Sequence, residues 1–270
     1  MSRIAVIGAG GMLGHTVGAY LTRNDREVCA LSRAQYDIAR EPLDRLASLL
    51  DGVTEVVNCA GVIKPRVAET PIEHVLRVNS AFPQNLAKLS RKLGFRSYHV
   101  TTDCVFSGSK REPYTEDDVF DADDVYGLSK NGGDSPENMV LRTSIIGEEK
   151  GQSRSLLEWA RGQAGRQVKG FVNHTWNGLT TLYLAEVIAQ LIDEDRHRPG
   201  VFHVHSPDTV SKSELVQMIS EVYQLDLRVE PIEVEHRCDR NLGSVHALSR
   251  EVVVKPIRRQ LEEMRRFFQE

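Results

Sequence analysis

The feature that most constrains this chain lies near its start, where "RIAVI" (residues 3–7) runs straight into "GAGGMLG". A short apolar run with β-branched side chains reads as a buried strand. "MLGHTVGAYLTRN" then reads as a helix. A strand, a glycine-rich turn and a helix in direct succession open a doubly wound α/β fold. Gly8, Gly11 and Gly14 give a GxxGxxG spacing, and Gly10 permits an offset. Without side chains the backbone can approach a pyrophosphate closely. The helix N-terminus adds free N–H groups and the positive end of its dipole. A plain tight turn is the competing reading, but the strand–turn–helix context is the one a dinucleotide site requires.

The rest of the chain extends this pattern. Strands are expected at 27–32, 53–61, 97–103, 139–147 and 200–206, mostly separated by helical segments. Strands alternating with helices imply a Rossmann-type parallel sheet covered on both faces. Residues 1–147 are expected to form the dinucleotide-binding Rossmann domain, with 171–205 returning to it. Residues 148–170 and 206–270 are expected to form a smaller substrate-binding lobe. Ser211 and Glu214 make a capping box ahead of a helix at 212–223.

Composition excludes other classes. The formal net charge of −4 over 270 residues leaves no dense basic face, so no nucleic-acid partner is expected. No apolar run has the length of a membrane span, and "MSRIAVIG" carries no secretory pattern. A cytoplasmic protein is expected. Cys29, Cys59, Cys104 and Cys238 show no CxxC spacing and read as free thiols. His203 and His205 share a strand face without a third ligand, so no metal is expected.

The chemistry is expected at four places. The second strand ends in "CALSR", with Arg33 and no acid. An arginine fork suits a 2′-phosphate, which points to NADPH, with NADH as the alternative. Asp37 and Ile38 follow and are placed to flank the adenine. In "VYGLSK", Tyr126 and Lys130 lie one turn apart on one helix face. A phenol titrates at about 10, and a nearby ammonium lowers that value. Such a tyrosine can protonate a carbonyl oxygen while hydride attacks its carbon. Thr102, or Thr101, closes the strand 97–103 and offers a hydroxyl to the same oxygen. Between 71 and 93, Ile72, Val75, Leu76, Phe82, Leu86, Leu89 and Leu93 form one stripe at helical spacing, with Asn79 on it. A buried amide needs partners, so Asn79 either ties down a loop or braces an active-site backbone. The six acids of "EDDVFDADD" (116–124) read as a solvated loop.

At this point the motifs can be taken together. "GAGGMLG", "SRAQYDI", "VVNCAG", "VNSAFPQNLA", "HVTTDCVFSG", "YTEDD", "VYGLSK" and "LRTSIIG" follow in order over residues 4–147. With them the chain resembles the extended short-chain dehydrogenase/reductase family, most closely its dTDP-4-dehydrorhamnose reductase-like sugar-nucleotide reductases. The likeness continues more weakly to about residue 222. It implies that Thr102, Tyr126 and Lys130 are the catalytic triad, with Tyr126 the proton donor and Lys130 also holding the nicotinamide ribose. It implies that Gly11, Met12 and Leu13 cradle the pyrophosphate and that Cys59, Ala60 and Gly61 pass beneath the cofactor. Asn79 matches the asparagine of the family's long helix. The implied reaction is hydride transfer from NADPH to the C4 keto group of a nucleotide-linked 4-keto-6-deoxyhexose. A homodimer stays open.

Departures from the family pattern bear on the substrate. Cys104 stands where relatives often carry tyrosine, and no proline precedes the Tyr–Gly pair. "HTWNGLTT" (174–181) replaces the relatives' Gln-x-Gly-x-Pro-Thr. Trp176 there offers a ring to a base or sugar face, or packs in the core. Arg240, in "RCDRNLGS", offers a guanidinium to the substrate diphosphate, or lies at the surface. An epimerase on the same fold and a non-catalytic NADP-binding regulatory subunit remain alternatives. A dehydratase is disfavoured by Asp103 and Cys104 after the threonine.

Overall fold

Residues 2–151 and 155–269 are described by a computed structural model. The first half runs β1 (Arg3–Ile7), α1 (Met12–Arg23), β2 (Glu27–Leu31), α2 (Leu43–Leu49), β3 (Glu55–Asn58), α3 (Ile72–Leu76), α4 (Phe82–Leu93), β4 (Arg96–Thr102), α5 (Val125–Asn131) and β5 (Met139–Thr143). The second half runs β6 (Ile145–Ile146), α6 (Leu156–Gly162), β7 (Gln167–Phe171), β8 (His174–Trp176), β9 (Leu179–Thr180), α7 (Thr181–Asp193) and β10 (Gly200–His203). It finishes with β11 (Val210–Ser211), α8 (Lys212–Tyr223), β12 (Arg228–Ile232), β13 (Cys238–Asp239), α9 (Leu248–Val252) and α10 (Ile257–Gln269).

All six expected major strands form one sheet in the order β2–β1–β3–β4–β5–β10. Every pairing in it is parallel. Residues of β3 and β5 are buried throughout, as in a sheet covered on both faces. Side-chain alternation in β1 sorts the two layers. Ile4 and Val6 pack with Val17 and Leu21 of α1 and Leu184 and Ile188 of α7. Ala5 and Ile7 pack with Leu46 of α2 and Leu86 of α4 on the opposite face. The chain leaves β1 toward β2 and then returns to β3 on the other side. That reversal opens a crevice at the carboxyl ends of β1 and β3.

A separate core holds Trp176, Leu215, Val216, Ile219, Ile257 and Leu261. Around it lie the parallel pair β12–β7 and the sheet β11–β8–β13. The capping box of α8 is present, with both Ser211 and Glu214 side chains engaged. Residues of β8 pair within this lobe, while α9 packs Leu248 and Val252 against the first core. The chain therefore crosses between the two cores more often than its expected segments implied.

The 71–93 stripe is interrupted. Arg77–Ala81 form a π-helical turn between α3 and α4. Pro83 has no N–H to give the Asn79 carbonyl four residues back, which favours widening of the helix there. The phase shift buries Val75, Asn79, Phe82, Leu86 and Leu89 and leaves Ile72, Leu76 and Leu93 about half exposed. Among the described residues no helix is long and apolar enough to cross a membrane.

Candidate active site

The glycine turn is shaped for close approach. Gly8 sits at φ +82°, and a Cβ there would lie 2.8 Å from the Ala60 nitrogen. A Cβ on Gly14 would lie 2.2 Å from the Gly8 carbonyl oxygen. Both positions need glycine, one for conformation and one for contact. Gly11 caps α1 with no side-chain hydrogen bond, so the first amides of the helix keep no side-chain acceptor. This is the arrangement that accepts a phosphate.

A crevice of about 780 Å³ opens above this turn. Gly8, Gly11, Met12, Arg33, Asp37, Ile38, Cys59, Ala60 and Gly61 all line it, as expected from the sequence. Leu13 and Gly14 do not. The Leu13 side chain is buried in the core below, and Gly14 packs beneath the turn. Their contribution is the shape of the turn and the backbone at the helix start. Sequence reasoning missed Ser32, Arg40, Arg66 and His74, which also line the crevice. Arg66 lies in a short helical turn at 64–69 that no periodicity marks.

Tyr126 and Lys130, expected to bind the cofactor, do not line this crevice; Lys130 stands behind its wall. Gly61 forms part of its wall, and a Cβ there would lie 3.5 Å from both Lys130 Nζ and Asn79 Oδ1. Asn79 accepts from the Val62 N–H at 2.8 Å and donates to the Val62 carbonyl at 3.0 Å and to Ser129 Oγ at 3.0 Å. It joins the cofactor-side backbone to the helix that carries Lys130. The Ser80 hydroxyl donates to the Ser129 carbonyl at 2.6 Å. Gly127 is required by packing, since a Cβ there would lie 2.5 Å from the Cys104 carbonyl. These contacts fix α5 against the end of β4.

Thr102, not Thr101, is the threonine that acts on Tyr126. Thr101 is buried, whereas Thr102 is partly exposed and its side chain acts to lower the Tyr126 pKa. The Thr102 hydroxyl also accepts from the Cys104 N–H and donates to Asp103 Oδ1, each at 3.1 Å.

The electrostatics correct one expectation. Burial raises the Tyr126 pKa above the usual phenol value, and Cys104, Asp103 and Asp124 add to that; only the Thr102 side chain opposes them. The expected depression by Lys130 is not what dominates, because desolvation is the largest effect. Burial also lowers the Lys130 pKa, opposed by Asp134 and Cys59. Asp134 itself forms a buried ion pair with Arg142 at 2.5 Å. A raised phenol holds its proton at neutral pH, which suits a donor.

The substrate side differs from expectation. Trp176 is only 5% exposed and packs in the lobe core, so its ring offers no face to a ligand. Arg240 does reach the site: its Nε donates to the Phe106 carbonyl at 2.7 Å, and it neighbours Asp103, Cys104 and Cys238. Lys212, the first residue of α8, reaches the same cluster and was missed. The acidic loop is also more than a solvated segment. Glu116 accepts from the His203 N–H at 2.7 Å and Ser244 Oγ at 2.6 Å, and Asp121 accepts from the Ser107 N–H at 2.7 Å. Asp124 caps α5 and pairs with Lys64 at 2.6 Å.

A glycine-turn crevice at the switch point of a doubly wound parallel sheet is the architecture of the NAD(P)-dependent oxidoreductases. A family model described as the RmlD substrate binding domain matches residues 2–247. The chain belongs to this family, whose members are oxidoreductases of the dTDP-4-dehydrorhamnose reductase type. It is 30% identical over 227 residues to a dTDP-4-dehydrorhamnose reductase of Aggregatibacter actinomycetemcomitans, covering 78% of this chain and 76% of that relative. It is 30% identical over 240 residues to a dTDP-4-keto-6-deoxy-D-glucose reductase of Streptomyces niveus, covering 85% and 82%. Among solved structures, the dTDP-4-dehydrorhamnose reductase of Bacillus anthracis in complex with NADP matches with a TM-score of 0.81 at 19% identity, over 100% of this chain and 99% of that one. That last likeness speaks to the fold.

Proposed function

We propose that this chain is a cytoplasmic NADPH-dependent reductase of the C4 keto group of a nucleotide-linked 4-keto-6-deoxy sugar, acting in deoxysugar and polysaccharide biosynthesis. The observation that carries the reading is the glycine-turn crevice with Lys130 behind its Gly61 wall, on the helix that also carries Tyr126. The turn fits a pyrophosphate because the cradle beneath it would be filled by any Cβ at Gly8 or Gly14. Met12 and the start of α1 would hold the diphosphate, and Cys59, Ala60 and Gly61 would line the floor. Arg33 and Arg40 line the same crevice and suit a 2′-phosphate. When bound, the reduced nicotinamide supplies a hydride.

Tyr126 then gives its phenolic proton to the oxygen that gains charge, leaving a phenolate beside Lys130. Lys130, held by the packing of α5, stabilises that phenolate and reaches the ribose. Thr102 orients the phenol. Arg240 meets the substrate diphosphate from the lobe side.

The test is consumption of NADPH with dTDP-4-keto-6-deoxy sugars generated fresh by a dehydratase. Turnover with a reduced sugar nucleotide as product supports the reading. No turnover alongside tight NADPH binding would discard this substrate class in favour of a different nucleotide sugar or a non-catalytic role.

A further inference from the structure

His203 ends β10 and is fully buried. Its Nε2 lies 2.9 Å from Nη1 of Arg142, its register partner on β5. A guanidinium can only donate, so Nε2 carries a lone pair. Its Nδ1 lies 2.9 Å from the Gly243 carbonyl oxygen and 3.1 Å from that of Tyr114. Carbonyls can only accept, so Nδ1 carries the proton and shares it between the two. The partners thus fix both charge and tautomer: a neutral ring protonated on Nδ1. Burial is the main reason it stays neutral; with the Arg142 charge it lowers the His203 pKa to about 4, against Glu116.

The two carbonyls belong to a seam that carries Arg240. Tyr114 and Leu242 form a parallel bridge. The Tyr114 N–H donates to the Asn241 carbonyl and the Gly243 N–H to the Tyr114 carbonyl, each at 2.8 Å. Arg240 opens this segment, with its Nε on the Phe106 carbonyl, and the Phe106 ring stacks on Tyr114 at 4.3 Å. Glu116 closes the other end, accepting from the His203 N–H, Ser244 Oγ and the Val245 N–H. Behind the ring, Asp134 holds Arg142 from the turn after α5. One imidazole therefore spans from the helix that carries Tyr126 and Lys130 to the segment that carries Arg240. We propose that His203 is a positioning residue for the substrate: its Nδ1–H holds residues 240–245 against the sheet and so sets where Arg240 meets the substrate diphosphate, while Nε2 anchors that grip to Arg142. The proposal rests on the reductase reading for the diphosphate, not for the hydrogen bonds.

The two nitrogens can be separated by substitution. An asparagine amide nitrogen takes a position close to Nδ1, and a glutamine amide oxygen one close to Nε2. His203→Asn keeps a donor for the two carbonyls and loses the acceptor for Arg142. His203→Gln keeps the acceptor for Arg142 and loses the donor. Each leaves a buried group unpaired, so both lower stability. Only His203→Gln releases the 240–245 segment. A general loss of stability and a positioning role therefore give different patterns across the pair.

Three measurements on the full-length protein test this. The first is nitrogen-15 NMR of the wild-type imidazole at neutral pH, assigned by its loss in His203→Asn. The Nδ1–H tautomer is expected; an imidazolium or an Nε2–H ring overturns the geometry, and this result stands even if a variant fails to fold. The second is hydrogen exchange at the Gly243 amide, also without ligand. It is expected to speed up by about tenfold in His203→Gln, with His203→Asn staying near wild type. The third is KM for the sugar nucleotide, expected to rise about tenfold in His203→Gln, by more than kcat changes, and to return to within about threefold of wild type in His203→Asn. Exchange rates and KM values that move equally in the two variants, or in neither, overturn the positioning role. Absence of wild-type turnover on every sugar nucleotide would instead strike the reductase reading, and the tautomer and the exchange rates would still decide whether His203 holds the segment.

Discussion

The two sides of the active site are built differently. The cofactor side is made of short segments at successive strand ends: 7–12 after β1, 32–40 after β2 and 59–63 after β3. Each is local, and each shows its purpose through glycines or small residues. The substrate side joins the end of β4 to Lys212 and Arg240, more than a hundred positions away. Nothing in the neighbours of Lys212 or Arg240 announces that they meet Asp103. A site assembled by a doubly wound sheet is written locally, whereas a site closed by a second lobe exists only once the lobe has packed.

The sharpest way to probe that division is to remove the group where the sides meet. Tyr126→Phe keeps the ring and removes the proton. A positioned acid contributes roughly 10²–10⁴ in rate, so kcat is expected to fall by about that factor. NADPH affinity, measured by fluorescence titration, is expected to stay within about twofold, because the glycine cradle is untouched. A comparable loss in NADPH affinity would mean that the two sides are one unit.

How much of this was legible follows the same line. The six-strand sheet could be read because each strand is a short apolar run ended by turn residues, and the order of motifs supplied the crevice. Asn79 could be singled out because an amide on an apolar stripe demands partners. The π-turn around it could not, since it depends on Pro83 and on how closely Gly133 approaches the Asn79 carbonyl. Trp176 was ambiguous because a tryptophan at a strand end looks the same whether it faces a ligand or a core. The acids at 116–124 looked solvated because their partners, such as His203 and Ser244, are distant in sequence.

The brace between the halves gives the next largest effect. Asn79→Leu leaves the Val62 N–H and carbonyl without their side-chain partners, and an unsatisfied buried group costs about 1–3 kcal/mol. A loss of roughly 2–4 kcal/mol in urea unfolding is expected, with weaker NADPH binding. Gly14→Ala tests the cradle by itself. Its Cβ must displace the Gly8 carbonyl, and overpacking of this kind costs about 1–3 kcal/mol. Its NADPH affinity is expected to fall, while a substrate analogue such as dTDP binds as before.

The smallest effect expected is the most discriminating. Arg240→Gln removes a cation from the lobe side and nothing from the cofactor crevice. Arg240 uses its Nε on the Phe106 carbonyl, which fixes the guanidinium and leaves its terminal nitrogens for an anion. One lost charge-assisted contact is worth about 1.5–3 kcal/mol, and partial exposure reduces that toward about 1.4 kcal/mol, a factor of about ten. KM for the sugar nucleotide should therefore rise about tenfold, with kcat changed by less than about threefold, because the contact is made equally in ground and transition states. Arg240→Lys, which keeps the charge but not the Nε hydrogen bond, should fall between. NADPH affinity should not move in either variant. If KM is unchanged while kcat falls, Arg240 acts on the triad rather than on the substrate's anionic group. The lobe's cations would then serve the triad, and the boundary between the two sides would pass between the lobe and the ligand instead of along β4.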